Sequence, residues 1–211
     1  MKINETFVSI QGESTNVGRP CLFIRTTGCN LRCTYCDTEY AFYGGRDMSV
    51  EELLEIVKKS GVKLVEITGG EPLLQEELPE LVDTLLELKY EVLVETSGSI
   101  NIDKVDPRAV RVMDLKCPSS GMESKNDYSN IQRLTNKDEV KFVIGDREDY
   151  DWTLEIIQQY DLDKKVAVLL SPVFDVLEPV TLAEWILHDK KNVRLQLQMH
   201  KYIWGPEVIG V

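Results

Sequence analysis

No stretch of this 211-residue chain approaches the roughly 18 consecutive apolar residues of a membrane-crossing helix. The start, MKINETFVSI, lacks the basic first segment and apolar core of a secretory signal, so a cytoplasmic location is expected. Basic residues are scarce: 24 Lys and Arg stand against 36 Asp and Glu, a formal net charge of −12. Binding a phosphate backbone needs a basic face, so no nucleic-acid partner is expected. The excess acid reads as a solvated surface. No internal repeat or low-complexity tract divides the chain. Hydrophobic residues still make up 43% of it, enough to core one domain over residues 1–211.

Cysteine is scarce as well, and the count of five is odd. In a chain expected to sit in a reducing compartment, that argues against a disulfide framework. Three of the five, Cys29, Cys33 and Cys36, are clustered in TTGCNLRCTYCDT as C-x-x-x-C-x-x-C. A structural zinc ion would need a fourth ligand from Cys21, Cys117, His188 or His200, and no second C-x-x-C knuckle exists. A redox pair of Cys33 and Cys36 would leave Cys29 idle. A [4Fe–4S] cluster normally takes four thiolates, so three leave one iron open to a small molecule.

Apolar runs alternate with helical patterns along the chain. Seven runs read as strands: CLFIRTTG, KLVEIT, EVLVET, VRVMDLK, EVKFVIG, KVAVLLSP and VRLQLQMH. SVEELLEIVKKSG reads as a helix with Ser49 as N-cap, Glu52 completing a capping box and Gly61 as terminator. QEELPELVDTLLELK is a second helix, starting near Leu78 because Pro79 suits a first turn. REDYDWTLEIIQQYDL and TLAEWILHDK are two more. Repeated βα units imply an α/β fold with a mainly parallel sheet, as a complete or partial barrel or an open doubly wound sheet. Glycines and polar residues collect just after the strands, in TTGCN, TGGEP, ETSGS, DLKCPSSG and QMHK. Ligands of parallel α/β folds sit at those carboxyl ends, so these tails are expected to line one mouth.

The cysteine spacing, Tyr35 before the third cysteine, and TGGEP after the next strand together resemble the radical S-adenosylmethionine (SAM) superfamily. FVSIQGESTNVGRPCLFIRTTGCNLRCTYCDT, DLKCPSSGMESKN and LQMHKYIWG resemble one family within it, the 7-carboxy-7-deazaguanine synthases. The resemblance implies a partial TIM-like (β/α) barrel, a [4Fe–4S] cluster, SAM and Mg2+. It implies a reaction in which 6-carboxy-5,6,7,8-tetrahydropterin loses ammonia and contracts to 7-carboxy-7-deazaguanine, with SAM as a true cofactor. An electron donor of the flavodoxin or ferredoxin type and a homodimer are further implications.

Residue roles follow from the same resemblance. Cys29, Cys33 and Cys36 would hold the cluster and Thr38 the magnesium. SAM contacts would come from Tyr35, Asp37, Gly70 and Glu71, the last through its carboxylate, and from Ser97, Cys117, Pro118, Ser119 and Ser171. Substrate contacts would come from Ile10, Gln11, Gly12, Glu13, Arg25, Thr68 and His200, with Arg25 on a substrate carboxylate. Cys117 is equally well read as a small buried hydrophobe, and Cys21 as core. Two rival readings are a glycyl-radical activase, which would share the cysteine motif, and a zinc-stabilised binding module.

Overall fold

Successive side chains of a strand point to opposite faces of its sheet, and here the two faces differ in chemistry. The computed structural model describes residues 1–211. In chain order its elements are β1 (Lys2–Ile10), β2 (Pro20–Thr26), β3 (Arg46–Asp47), α1 (Val50–Ser60), β4 (Leu64–Gly69), α2 (Leu78–Glu87), β5 (Glu91–Thr96), β6 (Val110–Asp114) and β7 (Glu139–Ile144). They continue with α3 (Arg147–Tyr160), α4 (Leu162–Lys165), β8 (Ala167–Pro172), α5 (Pro179–Asp189), β9 (Arg194–Leu195) and α6 (Met199–Trp204). The nine strands form one sheet in the order β3-β1-β2-β4-β5-β6-β7-β8-β9. From β2 to β9 every pairing is parallel, while β1 is antiparallel to both β2 and β3. No ladder joins β9 to β3, so the barrel is partial, as expected.

One face is apolar throughout and carries the helices. Leu22, Ile24, Val65, Ile67, Val92 and Val94 pack with α1 and α2, and Met113, Val140, Phe142, Val168 and Leu170 pack with α3 and α5. The other face is layered. Near the strand starts Cys21, Phe23, Leu64, Leu93 and Val112 make a dry plug, with Phe7 stacked on Phe23 at 5.0 Å. Two residues beyond Phe23, Leu64, Leu93 and Val112 the same face turns polar, with Arg25, Glu66, Glu95 and Asp114, and Thr68, Lys141 and Ser171 join this polar layer. Charge buried at such positions is costly unless the residues are paired or used, which separates this layer from scaffold.

The local signals act as expected at α1. Ser49 accepts from Glu52 N–H, Glu52 answers from its side chain, and Gly61 ends the helix at φ +69°. The α2 helix begins at Leu78 with Pro79 in its first turn. The two ends of the sheet differ from the sequence reading. The β1 strand is absent from it, because KINETFVSI mixes polar and apolar residues without clean alternation; the register also slips between Ile3 and Glu5. The strand expected over VRLQLQMH pairs only at Arg194–Leu195. The chain then turns away, Met199 N–H donates to Gly12 carbonyl at 3.0 Å, and residues 199–204 form α6. The α6 segment thereby lies against the loop that follows β1.

Candidate active site

The strand ends open into one cavity of about 700 Å3. The loop after β2 brings in Cys29, Cys33, Cys36, Tyr35, Asp37 and Thr38. The end of β1 and its loop bring Ile10, Gln11, Gly12 and Glu13, other strands bring Arg25, Thr68 and Ser171, and Ser97 follows β5. Gly70 lines the wall after β4, and His200 on α6 closes one side.

The cysteine loop is held from outside itself. Leu31 is buried beneath it. Thr34 donates from N–H to Ser120 carbonyl at 3.1 Å and from its hydroxyl to Ser119 carbonyl at 2.7 Å. The Tyr35 hydroxyl donates to Val143 carbonyl at 3.2 Å. The three thiols are free and half-buried, and Leu31 N–H points at Cys29 Sγ at 3.4 Å. No three His, Cys, Asp or Glu side chains gather closely enough to hold a single ion. Three thiolates on separate corners of a cubane stand further apart than three on one ion, so the donor set suits a cluster. Closeness of the two loops supports the same fit. A Cβ on Gly70 would collide with the Gly28 carbonyl and come within 2.9 Å of Cys29 Cβ. Only glycine lets that backbone pass beside the cluster loop.

Four expected contacts fall outside the cavity. The Glu71 carboxylate is fully buried and turned inward, accepting from Leu73 N–H (3.0 Å), Thr96 hydroxyl (2.9 Å), Ser97 N–H (2.8 Å) and Ser97 hydroxyl (2.5 Å). With its oxygens so occupied it braces the GGEP turn against β5 and does not face a ligand. Cys117 is buried in the apolar cluster under α3, 3.6 Å from the Thr153 hydroxyl. Pro118 and Ser119 form the turn behind the cysteine loop, where Ser119 N–H donates to Asp149 at 2.9 Å. The turn props the loop up from behind, which explains why it follows a strand yet misses the mouth.

Arg25 gives its Nε–H to Glu5 at 2.8 Å and lies 5.8 Å from the ring centres of Phe7 and Tyr40. Its two terminal nitrogens have no protein partner, leaving a planar fork free for a carboxylate. Thr38 makes no side-chain cap; its hydroxyl donates to Asp37 Oδ1 at 2.9 Å. Asp37 Oδ2 in turn accepts from Lys201 (2.8 Å) and Gln198 (2.9 Å). Crowding opposes ionisation of Asp37, but these donors, Lys201 foremost, hold its carboxyl below the usual range. Burial lowers His200 from its ordinary value, against Glu13 and Asp37, so the neutral imidazole is favoured. Its ring packs on Gly12, where a Cβ would overlap Nδ1.

A charged floor went unread in the sequence. Lys141 on β7 pairs with Glu13 at 2.7 Å and Glu95 at 2.5 Å, and Lys116 pairs with Asp114 at 2.9 Å. Burial opposes Glu95's charge, yet Lys141 keeps its carboxyl below the usual range. Gln198 and Lys201 tie α6 to both loops, for Gln198 also donates to Glu13 at 3.0 Å. The signal was present: KLVEIT, EVLVET and EVKFVIG each carry a charge at an interior strand position, Glu66, Glu95 and Lys141.

The chain matches the Radical SAM superfamily over residues 23–175. It is 46% identical to a 7-carboxy-7-deazaguanine synthase of Koribacter versatilis, covering all of both chains. The chain belongs to this family. It is 42% identical to the 7-carboxy-7-deazaguanine synthase of Chlorobaculum tepidum, covering all of this chain and 97% of that one. The crystal structure of QueE from Escherichia coli superposes with a TM-score of 0.78 at 27% identity, over 94% of each chain. Streptococcus suis SuiB bound to S-adenosylmethionine shares the fold alone: TM-score 0.54 at 14% identity, over 81% of this chain and 44% of that one. As a radical SAM synthase the chain uses a [4Fe–4S] cluster and SAM. The deazaguanine synthase reading thus prevails over a glycyl-radical activase and a zinc module.

Proposed function

We infer that the chain converts 6-carboxy-5,6,7,8-tetrahydropterin to 7-carboxy-7-deazaguanine and ammonia, a carbon–nitrogen lyase step of 7-deazapurine and queuosine biosynthesis. The carrying observation is one cavity lined both by three free thiols and by Arg25, Gln11, Glu13, Thr68 and His200. It sits in a chain 46% identical, end to end, to a relative of that name.

We assign Cys29, Cys33 and Cys36 to the cluster. Bound there, the reduced cluster with SAM supplies one-electron cleavage and a carbon radical able to take a hydrogen atom from the substrate. The residues do the rest. Tyr35, Asp37, Gly70, Ser97 and Ser171 form the SAM wall, with Glu71 fixing Ser97 from behind. The Arg25 fork binds the substrate carboxylate, and Gln11 and Glu13 face its amino-pyrimidinone edge with donors and acceptors. Ile10, Gly12, Thr68 and His200 complete that side. Thr38 holds magnesium: its proton is given to Asp37, so its lone pairs are available, and one hydroxyl beside substrate oxygens and water suits this hard cation. Residues 1–211 act as one domain, supported by the single continuous sheet. We further propose a cytoplasmic homodimer reduced by a flavodoxin- or ferredoxin-type donor. Arg32, exposed beside Cys29 with its Nη1 on the Cys29 carbonyl at 2.8 Å, offers a basic contact for such an acidic donor.

The test is anaerobic. Reconstituted protein is reduced and given SAM, Mg2+ and carboxytetrahydropterin, and the deazaguanine is sought by mass spectrometry. Cleavage of SAM without that product would keep the superfamily and defeat the substrate assignment. One colourless zinc per chain after iron–sulfur reconstitution would defeat the cluster.

A further inference from the structure

Four carboxyl groups crowd the cavity floor around one ammonium. Lys141 pairs with Glu13 and Glu95, and stands 3.8 Å from Asp114. Of the other cations on the floor, Arg25 is paired with Glu5 and Lys116 with Asp114. Glu66 is the fourth carboxyl, and no cation pairs with it. Its one protein partner is the Gln11 side-chain amide, which donates to Oε2. Only 4% of Glu66 is exposed, yet it lines the cavity. Its register neighbours are Phe23 on β2 and Leu93 on β5, both in the dry plug. Thr68, the next residue on that face of β4, is one layer nearer the mouth.

A carboxylate without a cation at the edge of an apolar plug costs more than a carboxylic acid there. Two ionised neighbours add to that cost. We propose that Glu66 stands as a neutral acid on the cavity floor and gives its proton to the amine that leaves the substrate. The charges facing it are Glu95 on β5, Glu13 after β1, Lys141 on β7 and Arg25 on β2, with the Cys21 thiol nearby. Burial first, then Glu95 and Glu13, push its carboxyl well above the usual range; Lys141 and Arg25 pull the other way. A neutral carboxyl near operating pH is what a general acid requires.

The proposal rests on the reaction assigned above, and its protons balance. As ammonia leaves, the C–N bond breaks and both electrons go to nitrogen. Nitrogen takes the Glu66 proton. The ring loses one proton from the adjacent atom as its double bond forms, and the Glu66 carboxylate receives it. Glu66 ends as it began, and nothing beyond substrate, product and ammonia is consumed or made.

The experiment separates hydrogen-atom transfer from ammonia loss. Wild type and Glu66→Gln, both reconstituted with cluster, receive SAM, Mg2+, reductant and substrate deuterated at the carbon that gives up its hydrogen. The Gln variant is expected to keep its iron content and to move deuterium into SAM or 5′-deoxyadenosine. Its ammonia and deazaguanine output is expected to fall by roughly 100-fold or more. In wild type, ammonia release should fall as pH rises through the Glu66 value, a limb absent from the variant. Glu66→Asp, which restores an acid, should recover part of the output and the same limb. Wild-type ammonia release by the Gln variant overturns the proposal. Deuterium transfer lost along with product, at full iron content, also overturns it, since Glu66 would then only position the substrate. Asp no better than Gln overturns it too. A wild type inert toward this pterin sinks the substrate assignment and the proposal together; an active wild type with an equally active Gln variant sinks the proposal alone.

Discussion

At the scale of single residues, the cavity sorts its charges into used and spare. Arg25 spends one N–H on Glu5 and is flanked by two aromatic rings, so its guanidinium is aimed before any ligand arrives. A preset fork loses little freedom when it binds a carboxylate. Charge-assisted hydrogen bonds are worth about 1.5–3 kcal/mol. Arg25→Ala should therefore raise the substrate KM by roughly 10- to 150-fold while iron content and SAM cleavage without substrate stay unchanged. Loss of the cluster in that variant would move Arg25 from substrate binding to scaffold. Glu71 teaches the opposite lesson. Its motif pointed to a ligand contact, yet four donors within 3.0 Å already satisfy it. A carboxylate with no free lone pair directed outward positions its neighbours instead.

At the scale of elements, the site is made by loops that touch. The turn after β4 passes the loop after β2 so closely that Gly28 and Cys29 leave no room for a side chain on Gly70. Gly70→Ala should push the two loops apart. The expected outcome is a fold with normal far-ultraviolet circular dichroism but sharply reduced iron after reconstitution. Full iron content would show that the loops can part without disturbing the thiols. The α6 segment plays a similar part on the far side. Lys201 and Gln198 reach Asp37, and Gln198 reaches Glu13, so one short helix and its N-cap tie the loop after β2 to the loop after β1. Neither contact was legible in the sequence, since residues 37 and 201 are 164 positions apart. The capping box of α1 was legible, because every residue it needs lies within one turn.

At the scale of the whole molecule, the sheet has a dry face, a dry plug and a wet rim. Its pH response follows from the rim. Glu95 has a lowered carboxyl value, so its stabilising contribution is present above the unfolded value and is lost as pH falls through the folded one. Glu66 has a raised value and works in reverse. Folding must keep a proton on it that the unfolded chain releases above about pH 4.3, the ordinary glutamate value. Its cost therefore grows as pH rises, up to the folded value. In urea denaturation of the cluster-free protein, Glu66→Gln should gain stability over wild type as pH is raised from about 4.3. A wild type that gains on the variant over that range would mean that Glu66 is ionised and paired.

Order along the chain was enough for much of this. Apolar runs alternating with helical patterns determined the parallel α/β fold, since those patterns act within one element and its neighbour. The cysteine spacing with TGGEP pointed to a cluster and the superfamily, and the segments around SIQGES, DLKCPSSG and LQMHKYIWG to the family within it. Tertiary structure decided what depended on distant pairing. It placed Cys117 and Glu71 behind the wall, drew α6 across the open side, and made one face of the strands both plug and floor. It also left four carboxyls around one lysine. A strand's sequence shows that a glutamate faces inward, but whether a cation meets it there is settled only by the strands alongside.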